Sequence, residues 1–383
     1  MKPLRQDPIF NNLWRMINII IALGTLAAAY GGIVNPEITS IPAILAMTFP
    51  LWLLLSVIVI VIGICIPGMR KTATIPAIGI ACCIGPILAY APMHFSTPAI
   101  NEDPQEPSFT LLSYNTLAFN DIQRDSIITD KGLIKQAIDN GARNPTASYI
   151  ISTDADILCL QEFRGPFPSE PLFYTKEQVD TLKRMYPYYR PFHGEDIMSR
   201  FPLKAVELRQ PQSPYAWFGA AIADIQGHRT LLVSLHLQSI GLNNADKELF
   251  RNLTDGDVES KSQIKQVRSQ LLGKLSNAFK ERAKQARMLR EQIDSIGIEN
   301  VIVAGDFNDI PDCFALRELC RDDFKSAFAS AGCGPEITYH ANRFYFHIDH
   351  ILYRGAMRAV AYQRGVCPNS DHYPIMARFV WDD

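Results

Sequence analysis

The sequence predicts a layered α/β domain, two packed sheets covered by helices, carried behind three apolar helices. Three observations support this. The first hundred residues hold three long uncharged runs, the remainder alternates short apolar runs with helical stretches, and a stretch rich in Pro and acidic residues separates the two parts.

The apolar runs are Met16–Val34, Ile41–Ile66 and Thr74–Met93, each about long enough to cross a bilayer core as a helix. The first is not a signal peptide, because no small-residue cleavage site precedes the second run. Lys2, Arg5 and Arg15 lie before or at the start of the first run, Glu37 follows it, and Arg70 and Lys71 separate the other two. Positive charge on the first and third segments puts the N-terminus in the cytoplasm. Three crossings would then leave everything after about Pro92 on the extracytoplasmic face of the plasma or inner membrane. The anchor is expected over 1–94 and a linker over 95–107, with a domain over 108–383.

Seven segments of that domain read as strands: Phe109–Asn115, Asp156–Glu162, Gly219–Ile225, Arg229–Ser239, Asn300–Asn308, Phe346–Tyr353 and Tyr373–Trp381. Each is short, rich in Val, Ile, Leu or aromatics, and bounded by turn residues. Leu232, Ser234, His236 and Gln238 fall on one face of the fourth, and His347, Asp349 and Ile351 on one face of the sixth. Helices fit Asp130–Ser152, Thr175–Met185, Lys261–Ile296 and Asp312–Cys320, the last with Asp312 as N-cap.

From Ser108 onward there are 32 Lys and Arg against 34 Asp and Glu. This is far from the pI above about 9 of a dedicated nucleic-acid binder. The five cysteines of the domain show no zinc spacing, and Cys159, inside an apolar run, reads as a buried thiol.

Polar groups recur at strand ends: Asn115, Glu162, His236, Asp306 with Asn308, and the pair Asp371–His372. Asn and Asp are ordinary turn residues, but Glu and His are not. A carboxylate ending the apolar run "ILCLQE" is costly unless a cation or donors offset its charge. Such a set suits attack of water on a phosphate ester, with a hard divalent cation on carboxylate oxygens and one acid and one base beside it.

The segments "SYN", "LQE", "SLHL", "GDFND", "IDHI" and "SDHYP" resemble, in order and approximate spacing, the endonuclease/exonuclease/phosphatase superfamily, and "DIMSRFPL" resembles its internal strand. The resemblance covers about Ser108–Trp381. It implies a four-layered α/β/β/α sandwich and a magnesium-dependent phosphohydrolase, with manganese as an alternative ion. Carried over, it implies that Glu162 ligates the metal, that Asn115 positions metal or phosphate, and that Asp371 supports the metal site. It further implies that Asp306 orients or deprotonates water and that Asn308 donates to the phosphate. His236 would contact phosphate or protonate the leaving group, and His372 would polarise the phosphate with Asp349 as its partner. Leu117 stands where some members carry a second acidic ligand. His193, His340, His347 and His350 have no motif behind them and read as structural or solvent-facing.

Lys261–Arg290 is a basic amphipathic stretch that either packs as a surface helix or meets anionic lipid or substrate. The Pro-rich segment Arg164–Tyr174 could shape a pocket. The function expected is a membrane-anchored phosphoesterase acting on a lipid, nucleotide or nucleic acid. An extracytoplasmic nuclease acting on DNA or RNA is the alternative. A silent phospho-ligand-binding protein is the reading from another class, against which the presence of both an acid and a base counts.

Overall fold

The computed structural model describes residues 8–382 apart from 67, 103–105, 118–139, 164–173, 242–260, 322, 342–344 and 368–369. The Pro-rich segment 164–173 and residues 130–139 of the first expected helix of the domain therefore lie outside the described residues, and within them that helix runs over Pro145–Thr153.

The N-terminal region forms helices α1 (Pro8–Ala29), α2 (Ile41–Ala46), α3 (Phe49–Cys65), α4 (Arg70–Cys82) and α5 (Ile84–Tyr90). Three full-length spans were expected. Among the described residues, α1, prolonged by a short turn to Ile33, is the one continuous helix long and apolar enough to cross a bilayer. Proline accounts for the difference. Pro50 cannot donate to the Ala46 carbonyl and its ring crowds it, so the second run divides into α2 and a 17-residue α3. Pro86 stands in the same relation to Cys82, and α4 and α5 meet there at 63°. Helices α1, α3 and α4 pack together, and Thr25 and Ser56 share a buried hydroxyl hydrogen bond of 2.8 Å between α1 and α3. Their outer faces leave Leu13, Leu23, Leu54, Val57 and Val61 exposed.

The domain contains strands β1 (Ser108–Asn115), β2 (Ile157–Gln161), β3 (Tyr188–Arg190), β4 (Asp196–Ser199), β5 (Leu203–Ala205), β6 (Trp217–Ile225), β7 (His228–His236), β8 (Asn300–Asp306), β9 (Lys325–Ser326), β10 (Asp349–Arg354), β11 (Met357–Arg364) and β12 (Ile375–Trp381). Its helices are α6 (Pro145–Thr153), α7 (Lys176–Met185), α8 (Lys261–Ile296), α9 (Phe314–Cys320) and α10 (Ala327–Ala331). The strands form two six-stranded sheets, ordered β11-β12-β1-β2-β4-β3 and β5-β6-β7-β8-β10-β9.

Strand alternation sorts the apolar residues into three layers. Phe109, Leu111 and Ile157 of the first sheet meet Leu232, Ile302 and Ile351 of the second. Leu112, Leu158 and Leu160 turn outward beneath Ile150 of α6 and Leu182 of α7. Leu231, Val233, Val301 and Val303 turn outward beneath Leu289 and Ile293 of α8 and Leu316 of α9. The result is a helix–sheet–sheet–helix sandwich.

Local chemistry sets the boundaries. Gln226 and Gly227, both at positive φ, make the two-residue turn that fixes the register of β6 against β7. Thr175 and Gln178 form a capping box at the start of α7. The N-cap of α9 is Cys313, not Asp312 as expected. Asp312 sits at φ 64° and pairs with Arg317 at 2.6 Å, so the helix starts later. All eight cysteines are free thiols, and burial pushes Cys159 up to about 12.

Candidate active site

Topology delivers the polar strand ends to one place. The parallel pairs β1–β2 and β7–β8 bring their C-terminal ends to one edge, while the antiparallel β10 and β12 begin there. Asp306, the last residue of β8, is in register with His236 on one side and Asp349 on the other. The central position of β8 in its sheet thus makes Asp306 the hub.

Asp306 is 1% exposed and each of its oxygens is engaged. Oδ1 accepts the Asn308 backbone N–H at 2.8 Å, and Oδ2 accepts the Asn115 side-chain amide at 3.1 Å. Nε2 of His236 and Nε2 of His372 each lie 3.5 Å from the same Oδ2. The other ring nitrogen of His372 donates to Asp349 at 2.9 Å. Burial alone would favour the neutral ring of His372, but the Asp349 and Asp306 carboxylates outweigh it and raise its pKa to about 10. His372 is therefore an imidazolium at neutral pH. Thr338 Oγ1 accepts the N–H groups of Ile348 and Asp349, which fixes the start of β10. Ser370 Oγ donates to the Asn115 carbonyl at 2.8 Å and accepts the His372 N–H at 3.1 Å, tying β1 to the segment before β12.

Three of the eight described non-glycine residues at positive φ lie at this edge. Glu162, Asn308 and Leu117 hold φ values of 51°, 52° and 49°. Asn tolerates that region; a Glu or Leu there costs about 1–3 kcal/mol that the surrounding structure must offset. Gly305 at φ 152° would place a Cβ 2.0 Å from the Leu235 carbonyl, so β8 can reach His236's strand this closely only with glycine.

These groups open onto a cavity of about 730 Å³ that also holds Glu162, Glu195 and Asp371 on its wall. Asn115 donates to Glu162 at 3.2 Å as well as to Asp306. Asn308 donates its side-chain amide to the Leu237 carbonyl, which aligns it at the cavity edge. The structure thus brings together Asn115, Glu162, His236, Asp306, Asn308, Asp349, Asp371 and His372.

The profile of the Endonuclease/Exonuclease/phosphatase family matches residues 112–372, which hold every one of these side chains. The chain belongs to that family. Residues 11–90 match a domain of unknown function, DUF8431. No curated protein matches the chain. Among solved structures, truncated TDP2 from Caenorhabditis elegans aligns at 18% identity and TM-score 0.45, over 71% of this chain and 98% of its own. An endonuclease/exonuclease/phosphatase from Bacteroides vulgatus aligns at 15% identity and TM-score 0.45, over 72% and 100%. TDP2 from D. rerio, complexed with single strand DNA product, aligns at 16% identity and TM-score 0.41, over 72% and 99%.

The family implies a divalent cation, and the donor set suits one. Asp371 Oδ1 and Glu195 Oε2 are buried with no hydrogen-bond partner, and both belong to residues on the cavity wall. Unpaired buried carboxylate oxygens are what a hard cation satisfies. Atoms of Asp306, Asp349 and His372 also lie within 4.8 Å of one another. Within that trio Asp349 holds Nδ1 of His372, and Nε2 of the same ring faces Asp306 at 3.5 Å.

Glu195 escaped the sequence reading. It is 2% exposed, and burial, then Glu162, Asp196 and Asp306, hold its carboxyl well above the usual range. Its Oε1 lies 3.9 Å from His236 Nδ1. The signal was present in "HGED", where a second carboxylate directly precedes an apolar strand. Tyr339, whose ring meets His372 edge-on at 4.9 Å, and His193, whose ring lies tilted against Trp217 at 5.0 Å in the cavity wall, had no signal at all.

Proposed function

We propose that the chain is a membrane-anchored, divalent-cation-dependent phosphoesterase that attacks a phosphate ester with water. The observation that carries this reading is the Asp306 carboxylate, held by two asparagines between two imidazoles, one of them an imidazolium backed by Asp349. Glu162, with Asp371 and Asn115, would hold the cation. When bound, a magnesium or manganese ion supplies charge neutralisation at the phosphoryl oxygens.

The chain's own residues divide the remaining work. Asp306, fixed by Asn115 and by the Asn308 N–H, orients the water and accepts its proton. His372 sets a positive charge against a phosphoryl oxygen, and Asp349 keeps its second nitrogen protonated and the ring in place. His236 gives a proton to the departing oxygen. The Asn308 side chain fixes the phosphate edge of the site.

Anchoring is assigned to α1, which leaves Leu13, Ile19, Ile20 and Leu23 exposed on its outer face. With Lys2 and Arg5 ahead of it, this helix crosses with its N-terminus inside, and the catalytic domain lies on the extracytoplasmic side.

The test is hydrolysis by the purified full chain of phosphodiesters, phosphomonoesters, nucleotides and DNA, with magnesium and with chelator. Turnover that requires the ion and falls about 10³-fold or more in Asp306→Asn is expected. Absence of turnover on every substrate, or turnover indifferent to Asp306→Asn, would refute the proposal.

A further inference from the structure

The cavity is larger than a phosphate and its water require, and much of its wall has no role in the chemistry above. Leu271, Leu275 and Phe279 form a stripe at four-residue spacing along α8 and face into it. Ile310, two residues beyond Asn308, extends that stripe to the phosphate edge. Met47, from the junction of α2 and α3 in the N-terminal bundle, lines the same space. The bundle is held there by polar contacts: Ser40 Oγ donates to Ser276 Oγ at 2.7 Å on α8, and Arg287 of α8 pairs with Glu37 at 3.1 Å.

The charge of the described wall favours a ligand with few phosphates. Among the described lining residues Arg282 is the sole Lys or Arg, and its guanidinium is committed to Asp309 and to the Gln238 carbonyl. Polyanion binding draws much of its affinity from Lys and Arg set against the phosphates. A single phosphate at Asp306 and His372, continued by an aliphatic chain along the α8 stripe, fits both the charge and the apolar wall.

We infer that the substrate is a phosphoester carrying an aliphatic chain, seated along Leu271, Leu275 and Phe279 and admitted beside Met47 from the membrane side. The inference rests on the phosphoesterase reading and adds the class of substrate. The apolar bundle and the apolar half of the cavity meet at Met47, so a chain leaving the bilayer could reach the site without crossing water.

The experiment uses the full chain exchanged from detergent into amphipol, with magnesium, on para-nitrophenyl phosphodiesters whose second ester group is methyl, butyl or octyl. A buried methylene contributes up to about fourfold in kcat/KM. A rise of about tenfold or more from methyl to octyl is expected, and Leu275→Asp should bring the octyl-to-methyl ratio down toward one. The series on the unmodified chain decides the matter even where the variant does not fold. A kcat/KM that is flat or falls with chain length, beside measurable turnover, overturns this inference and leaves the phosphoesterase standing. No turnover of any member, nor of the nucleotides and DNA above, overturns both.

Discussion

Arg282 and Asp309 are buried together, 1% and 4% exposed, at 2.9 Å. Asp309 is the third polar side chain of "GDFND" beside Asp306 and Asn308, but its carboxylate is spent on Arg282. Its Oδ2 takes Arg282, its Oδ1 accepts the Ile310 N–H, and its carbonyl accepts His350 Nε2 at 2.9 Å. Burial raises its pKa in spite of the arginine, so the desolvation cost exceeds the attraction. Such a pair specifies the path of the turn more than it adds stability. Arg282→Ala leaves an uncompensated buried carboxylate and is expected to lower unfolding free energy by about 3–5 kcal/mol. The double change Arg282→Met with Asp309→Leu is expected to recover most of that stability. Activity should not recover with it, since the turn that aims Asn308 has lost its tie to α8. Denaturant unfolding and turnover, measured on both variants, check the two halves separately; full recovery of turnover in the double variant would refute the positioning role.

Strand β10 shows how an element can be legible in outline while its chemistry is not. The alternation of His347, Asp349 and Ile351 was readable, and so were the ends of β1, β7 and β8 at Asn115, His236 and Asp306, whereas Asp349, expected inside a strand, opens β10. Strands β3, β5, β9 and β11 were not read, being two or three residues long or, in β11, a polar-apolar mixture with a bulge between Ala359 and Ala361. Helix α8 was placed with its correct limits, but not every cation of its basic stretch is free to meet a lipid or substrate: Arg282 and Arg290 are buried against Asp309, Asp294 and Asp323. Partners distant in sequence decide such cases. The same holds for His350, whose burial, opposed weakly by Asp309 and Asp306, lowers its pKa from 6.5 to about 4. Below about pH 6.5 the unfolded chain binds a proton that the folded chain refuses, so its contribution is complete above pH 6.5 and drains as pH falls toward 4. His347, 4.8 Å away and also held neutral by burial, acts in the same sense. Glu336, whose pKa burial raises to about 7, acts in the opposite sense, so the total slope does not isolate the histidine. The comparison with His350→Gln does. That variant should be less stable at pH 7.5, with the gap closing by about 2 kcal/mol at pH 5; a gap independent of pH would show that His350 titrates normally.

At the scale of the molecule, the N-terminal bundle is seated on the catalytic domain instead of hanging from a linker. Ala46 and the partly buried Tyr90 join the apolar core under α8 and α9, and Met93 pairs with Cys333 as an isolated bridge. His94 meets the Ala329 carbonyl at 2.9 Å. One tight approach is at Gly32, where a Cβ would fall 2.0 Å from the Asp312 carbonyl and 3.0 Å from the Cys313 Cα. Both atoms are backbone and cannot rotate away, so any side chain at 32 must lift the bundle or shift the 312–313 segment. That segment lies three residues beyond Asp309 and immediately before α9, on the continuation of the turn carrying Asp306 and Asn308. A displacement there reaches the site along a chain of fixed peptide geometry, with no conformational relay needed. Gly32→Val is therefore expected to cost about 1–3 kcal/mol and to lower kcat/KM, while Gly85→Val, which meets no atom within 4 Å, leaves both unchanged. Proteolysis in the 95–107 segment should quicken in Gly32→Val alone if the bundle has lifted. Equal activity and equal cleavage in the two variants would mean that the docked bundle neither supports the site nor depends on this contact.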